Sequence, residues 1–217
     1  AVTEHAMPTQ GYGMTEACGL ISYIAGPLFQ ERPNSVGPVM PTMEAQCINS
    51  DGEALPKGEI GEVCVRGTNV IKGYLNRPEA TAATIVDGWL HTGDLGYFDD
   101  DGFLYIVDRV KDVIIRGGEN IYSVEVENAI FDHSAVLECA VFAVADDRLG
   151  EEVGAVVYVK DVDTLGVVEL RAHLASRISP FKLPRYIWLV SEPLPRNASG
   201  KFLKNKLRET LDLDRAC

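Results

Sequence analysis

The sequence predicts an α+β protein in two parts, a strand-rich stretch over residues 1–110 and a small α+β unit over residues 111–217. Up to about Val107, short apolar runs alternate with polar residues and are separated by tight-turn dipeptides, the mark of half-buried strands. From Lys111 onward, strand-like runs are interleaved with apolar residues at helical spacing. No repeat or low-complexity segment interrupts either part. A chain of 217 residues can bury one good core or two modest ones.

The first part reads as β structure from Val36 to about Val107. Val63 and Val65 alternate with Glu62, Cys64 and Arg66, which predicts a strand with one buried face. Asp51-Gly52 and Asp101-Gly102 are turn signals. The second lies between Leu95–Phe98 and Phe103–Val107, a hairpin signature. Several short strands with regular turns predict a small barrel or curled sheet. Ahead of them, Tyr12-Gly13 reads as a turn and Thr15-Glu16 as a helix start.

In the second part, Val113-Ile114-Ile115 reads as a strand followed by a Gly117-Gly118 loop. Ser123 can cap a helix running to about Phe131, with Glu125 and Glu127 near its positive end. Val126, Ala129 and Ile130 give that helix an inward face. Val136–Val144 and Val153–Val159 read as strands joined by an acidic turn. Val167, Leu170, Leu174 and Ile178 predict a helix stopped by Pro180, Tyr186–Val190 a further strand, and Phe202–Leu211 a final helix.

The net charge of −12 disfavours nucleic acid and anionic membrane as partners. Positive charge gathers near the end, at Arg196, Lys201, Lys204, Lys206 and Arg208. The acidic runs Asp99–Asp101 and Asp146, Asp147, Glu151 and Glu152 read as solvated surface. The 5 cysteines are scattered, without a C-x-x-C pair, and fit reduced thiols in a cytoplasmic protein. The 4 histidines are too dispersed in sequence for a metal cluster. No apolar run approaches the roughly 20 residues of a membrane span, and no pattern specifies an oligomeric state.

The chemistry concentrates in Gly93-Asp94, Asp108-Arg109-Val110-Lys111-Asp112 and Gly117-Gly118-Glu119-Asn120. A carboxylate presented after a glycine, as Asp94 is, can accept both hydroxyls of a ribose through charge-assisted bonds. Arg109 ends an apolar run, and its planar fork suits a second ribose or phosphate contact.

Those tracts resemble the adenylate-forming acyl-CoA ligases. So do Gln10-Gly11-Tyr12-Gly13-Met14-Thr15-Glu16, Gly58-Glu59-Ile60-Gly61-Glu62, Gly73-Tyr74 with Pro78-Glu79-Ala80-Thr81, and Pro195-Arg196-Asn197-Ala198-Ser199-Gly200-Lys201. This acyl-activating superfamily includes fatty-acyl-CoA and coumarate-CoA ligases, luciferases and peptide-synthetase adenylation domains. The resemblance covers nearly the whole chain in the family's order. It implies that residues 1–110 are the closing part of a large adenylate-forming domain, with its β-barrel subdomain, and that residues 111–217 are a small mobile domain. The family's Ser/Thr/Gly-rich phosphate loop is not in the sequence, so the expectation is a C-terminal fragment that is inactive alone.

The activity implied is AMP-forming acid–thiol ligation. A carboxylic acid and ATP give an acyl-adenylate and pyrophosphate; coenzyme A then displaces AMP. By resemblance, Gln10, Gly11, Tyr12, Thr15, Asp94, Arg109 and Lys201 bind the nucleotide. Tyr12 lies against adenine, Gly11 leaves it room, and Thr15 bonds the α-phosphate. Glu16 holds Mg²⁺. Lys201 bridges carboxylate and phosphate as the main catalytic cation, with Thr15 and Glu16. Lys111 is a hinge, and Gly117, Gly118 and Glu119 line the coenzyme A tunnel. Some relatives carry lysines where this chain has Ile115 and Gly117, so those roles do not transfer; Ser123 stands where many have proline. The acyl substrate is not legible, although a fatty or related acid is the general expectation. Two alternatives stay open: an adenylation domain loading a carrier protein, and a non-catalytic fragment that docks nucleotide.

Overall fold

A computed structural model describes residues 7–160, 165–198, 200–212 and 216. The chain divides into two compact units, Ala1–Val110 and Lys111–Cys217.

The first unit opens with an antiparallel pair, β1 (Thr9–Met14) and β2 (Gly19–Ala25), followed by a short helix α1 (Gly26–Glu31). Tyr12-Gly13 is therefore strand. The turn falls one step later, in a single 3-10 turn at Thr15–Ala17. Next come β3 (Gly37–Pro38), β4 (Met43–Ile48), β5 (Gly61–Gly67), α2 (Pro78–Thr84), β6 (Ile85–Val86), β7 (Trp89–Phe98) and β8 (Phe103–Arg109). They form one antiparallel sheet in the order β3-β8-β7-β5-β4, with β6 added on β7.

The β7–β8 hairpin turns at Asp101-Gly102 as the dipeptide predicts, and Asp99 tightens it by accepting the Phe103 N–H at 2.8 Å. Two local readings need correction. Val63, Cys64 and Val65 are all buried, because β5 is an interior strand between β4 and β7 and is covered on both faces. The region read as continuous β structure also contains α2, where Pro78 sits in the first turn and Ala-rich sequence follows. Ile21, Val36, Val63, Val65, Leu90 and Leu104 form the core of this unit.

The second unit comprises β9 (Ile114–Arg116), β10 (Glu119–Ile121), α3 (Ser123–Phe131), β11 (Val136–Asp146), β12 (Gly150–Val159), α4 (Val167–Ala175), β13 (Tyr186–Val190) and α5 (Lys204–Thr210). The sheet runs β10-β9-β12-β11, and β13 lies parallel to β12. Strand alternation divides its side chains between two cores. Val141, Val153, Ala155 and Val157 join Val126 and Ile130 of α3 and Leu170 and Leu174 of α4. Ala140, Phe142, Val144 and Val156 join Trp188 and Leu207 of α5 on the other face.

Several details differ from the predicted elements. Gly117-Gly118 is the turn of the β9–β10 hairpin, whose positive φ values of 60° and 91° suit a two-residue primed turn. Ser123 is the first helical residue, with Tyr122 at the cap position, and its hydroxyl accepts a bond from Lys204 Nζ at 3.0 Å. Helix α4 ends at Ala175, well before Pro180. Ile178 nevertheless reaches the core, through a turn in which Arg177 and Ile178 both donate N–H to the Leu174 carbonyl. No helix among the described residues is long and apolar enough to cross a membrane.

The acidic run at the β11–β12 turn is not simple solvated surface. Glu152 is 2% exposed and takes Arg116 Nε at 2.6 Å and Nη2 at 3.1 Å, with Arg185 Nη1 at 3.4 Å. Asp146 accepts the N–H groups of Arg148 and Leu149 and pairs with Arg185 at 3.1 Å. Glu151 accepts the Ile115 N–H at 2.7 Å. These carboxylates tie β9 to the β11–β12 turn. Burial alone would raise the Glu152 carboxyl, but Arg116 and then Arg185 hold it below its ordinary value.

A depressed native pKa means that the unfolded chain binds the proton more readily. The stabilisation is therefore full above the unfolded carboxyl pKa of about 4.3 and drains as pH falls through the lower native value. Glu152→Gln should cost about 2 kcal/mol at neutral pH. Urea unfolding of both proteins should show that gap closing as the medium is acidified below about pH 4.

Candidate functional site

Asp94 and Arg109 face each other across β7 and β8, so their side chains emerge on one face of the hairpin. Arg109 Nε donates to Asp94 Oδ1 at 3.2 Å, and the Tyr12 hydroxyl donates to Oδ2 at 2.7 Å. Asp94 is 9% exposed, held from two sides with one bond on each oxygen. A carboxylate oxygen accepts more than one hydrogen bond, so the group keeps capacity for a diol.

Burial raises the Tyr12 phenol well above the ordinary tyrosine value. The bond to Asp94 and that carboxylate's charge add to the shift. Arg109 is itself exposed beyond the bond it makes to Asp94.

Tyr12 reaches this position because β1 is irregular at Tyr12/Gly13. A Cβ on Gly13 would stand 1.9 Å from the Gly19 carbonyl oxygen, so no larger residue fits. Gln10 and Gly11 precede Tyr12 on β1, opposite Ile24 and Tyr23. The 3-10 turn then leaves Thr15 exposed and Glu16 half-buried. Glu16 Oε1 accepts the Tyr74 hydroxyl at 2.8 Å, and its carbonyl accepts the Ile71 N–H at 2.9 Å. The bond from Tyr74 is also the main cause of that phenol's raised pKa. Glu16 fits an oxygen-seeking divalent cation: it is a half-buried carboxylate anchored through one oxygen, beside the exposed Thr15 hydroxyl.

In the second unit, Lys201 is exposed at the end of a tight turn. Asn197 builds the turn: its Oδ1 accepts the Lys201 N–H at 2.9 Å, its N–H donates to the Lys201 carbonyl at 2.9 Å, and its carbonyl accepts the Gly200 N–H at 3.0 Å. Ser199 lies outside the described residues. The terminal cations do not act as one cluster. Arg196 is committed to Glu138 (2.9 Å), the Gly200 carbonyl (2.7 Å) and the Phe202 ring (4.0 Å). Lys204 is committed to Glu127 (2.9 Å). The Lys201 ammonium makes no ion pair among the described residues.

Lys111 is exposed in the 3-10 turn Val110–Asp112 and is the first residue of the second unit. It also lines a cavity of about 510 Å³ with Phe142, Trp188, Arg208 and Leu211. Gly117, Gly118 and Glu119 are exposed on the β9–β10 hairpin, and the Gly117 N–H is held by the Leu149 carbonyl at 2.8 Å.

The structure thus joins Tyr12, Asp94 and Arg109 in one network and places Thr15 and Glu16 just beyond Tyr12 on the same chain. Sequence reasoning missed the supporting side chains Glu62, Thr92 and Tyr74. The only available signal was that Glu62 and Tyr74 lie inside the quoted tracts and Thr92 directly before one, since their main partners are distant in sequence. Glu62, Cys64 and His91 offer atoms within 4.8 Å of one another, a grouping that the sequence spacing of the histidines hides. Within it, the Glu62 oxygens take hydrogen bonds from His91 Nδ1 at 2.9 Å and the Gly93 N–H at 3.1 Å, and burial pushes the Cys64 thiol up to about 12.

The chain matches the family model described as AMP-binding enzyme over residues 3–75 and the one described as AMP-binding enzyme C-terminal domain over residues 125–201. It is 43% identical to a feruloyl-CoA synthase of Amycolatopsis sp, over 92% of this chain and 40% of the relative. It is also 43% identical to a long-chain-fatty-acid–CoA ligase of Bacillus subtilis, over 92% of this chain and 36% of the relative. Its structure resembles o-succinylbenzoate CoA synthetase from Bacillus subtilis in complex with the acyl-adenylate intermediate OSB-AMP. That match has a TM-score of 0.86 and 39% identity, and covers 92% of this chain and 40% of the other. The same enzyme in complex with ATP and magnesium ion matches with a TM-score of 0.85 and 39% identity, over 92% of this chain and 41% of the other. The chain therefore spans about two fifths of the length of the relatives it matches.

Asp94→Asn removes the neighbouring negative charge and leaves the phenol at most a neutral amide acceptor in place of the carboxylate that favours its protonated form. The Tyr12 pKa should fall, while burial keeps it above that of an exposed tyrosine. Tyrosine-labelled NMR across an alkaline titration reads this directly. A Tyr12 resonance unmoved by the substitution would mean that the bond does not form in solution.

Proposed function

The chain belongs to the adenylate-forming acyl-CoA ligase family, and on that premise we propose that it serves an ATP-dependent acid–thiol ligase. The reaction joins a carboxylic acid to AMP with release of pyrophosphate, after which the coenzyme A thiol displaces AMP. The observation that carries this reading is the Asp94 carboxylate fixed by Tyr12 and Arg109, an acceptor built for a vicinal diol.

Two anions must meet in the first step, so catalysis is positioning and charge neutralisation. Asp94 accepts the ribose hydroxyls, and Arg109 keeps that carboxylate oriented while offering its exposed N–H groups to the nucleotide. Gln10 and Gly11 flank the base and Tyr12 bounds it, its hydroxyl already turned toward Asp94. The Thr15 hydroxyl donates to the α-phosphate. Glu16 would hold Mg²⁺, which when bound supplies positive charge at the phosphate oxygens. Lys201 presents its ammonium to the reacting carboxylate and phosphate, which suits a lysine with no ion pair among the described residues.

For the second step, Lys111 is the hinge at the start of the small domain. Gly117, Gly118 and Glu119 line the path of the pantetheine arm, where glycine lets backbone pack beside a narrow ligand. The domain roles follow the same reading, with residues 1–110 closing the large adenylate-forming domain and residues 111–217 forming the mobile one. The acid remains a matter of class. The relatives' names span aryl and long-chain acids. Of the described cysteines, Cys47, Cys64 and Cys139 are buried free thiols and Cys18 an exposed one, which fits a reducing cytoplasmic setting.

In the complete ligase, Lys201→Ala should slow ATP–pyrophosphate exchange by about 10²–10³-fold, the loss expected for one oriented donor. Undiminished exchange would refute the role. Lys111→Pro should keep adenylation and lose thioester formation; equal loss of both half-reactions would argue against a hinge. Running the exchange assay on this chain alone as well separates a catalytic unit from one that docks nucleotide without turning it over.

A further inference from the structure

We propose that Glu62 is a positioning residue for nucleotide recognition: it sets the backbone that aims Asp94 and does so without contacting the ligand. The inference rests on the reading of Asp94 as the ribose acceptor.

The register between β5 and β7 motivates it. Glu62 pairs with Leu95 and Cys64 with His91, so the single residue Val63 on β5 faces three on β7: Thr92, Gly93 and Asp94. Such a bulge takes backbone N–H groups out of the ladder, and each then needs another acceptor. Side chains provide them. Glu62 Oε1 accepts the Gly93 N–H at 3.1 Å, and Thr92 Oγ1 accepts the Asp94 N–H at 3.1 Å while its own proton goes to the Val63 carbonyl at 2.7 Å. The other Glu62 oxygen takes His91 Nδ1 at 2.9 Å, so the carboxylate grips the bulge on both sides of Thr92.

Gly93 at φ +72° supplies the backbone turn. On the opposite edge of β7, the register with β8 shifts between Leu95 and Gly96, one step past the Asp94–Arg109 pair. Asp94 is therefore held on a short stretch that is irregular on both sides. Because side chains alternate faces along a strand, a slip of one residue there would turn Asp94 away from Arg109 and Tyr12. Thr92 and Glu62 together prevent that slip, and Glu62 is the one anchored on the neighbouring strand.

Four variants of the complete ligase test this: Glu62→Gln, Glu62→Asp, Glu62→Ala and Asp94→Ala. Glutamine keeps the reach and the acceptor for Gly93, and its amide can donate to a His91 Nδ1 that carries no proton. Aspartate keeps the charge but falls short of the bulge. The KM for ATP should rise about tenfold or more in Glu62→Asp and Glu62→Ala, toward the roughly 10²-fold cost of misplacing a binding group. The KM for the acid should change little, and Glu62→Gln should stay near wild type. In the 217-residue chain, amide exchange at Gly93 and Asp94 should accelerate in Glu62→Asp with β8 unaffected. If Asp94→Ala raises the KM for ATP while Glu62→Asp and Glu62→Ala do not, the positioning role is overturned and the ribose reading stands. If Asp94→Ala leaves that KM unchanged, the ribose reading fails first and takes the inference with it. Should Glu62→Ala not fold, the contrast between aspartate and glutamine decides, and equal KM values for those two overturn the proposal.

Discussion

The first unit depends on keeping one carboxylate in place. Asp94 is nearly buried, and its desolvation is tolerable only because Arg109 and Tyr12 each bond an oxygen. These partners come from separate elements, Tyr12 from the opening hairpin and Arg109 from the last strand of the sheet. The network therefore joins the two ends of the unit as well as forming the site proposed for the nucleotide. Its supports are equally distributed: Gly13 allows the close approach that lets Tyr12 arrive, and the bulge on β7 presents the carboxylate.

Charge in the second unit follows a different logic. Cations that look interchangeable in the sequence are divided between structural ties and an exposed ammonium. Arg196 and Lys204 close onto Glu138 and Glu127, while Lys201 stands on a turn knitted by Asn197. A planar guanidinium suits the tie, since it can meet a carboxylate, a carbonyl and a ring face at once. A compact ammonium on a flexible stem suits the role proposed for Lys201.

Local patterns carried most of the fold. The β7–β8 hairpin, the β11–β12 pair and the apolar faces of α3 and α4 follow from alternation, turn dipeptides and helical spacing. Readings failed where neighbours distant in sequence decide. Cys64 is buried because β5 is covered on both faces, and Glu152 because two arginines from other segments enclose it. Helix α4 stops before Pro180 because a turn at Leu174 carries Ile178 into the core instead. The candidate site was legible as a set of residues and not as a network. Asp94 and Arg109 were visible as site residues, but their facing each other needs the hairpin register. Tyr12 donating to Asp94 needs the irregularity in β1. Glu62 stood inside a quoted tract, but its role was hidden, since a glutamate in a strand gives no sign that it will hold another strand's bulge.

The sheet of the second unit contains one parallel pairing, in which residues 154–158 of β12 lie beside residues 186–190 of β13. Hairpin partners such as β11 and β12 can zip as soon as they are made, whereas this seam requires a crossover through α4 before its edge can be covered. A nascent chain leaving the ribosome would thus hold β12 half-finished, with Val156 lacking its Trp188 neighbour, until the segment through Val190 had emerged. Completion of this sheet therefore comes after its hairpins, and the interval before it is when the chain is most open to mispairing along that edge.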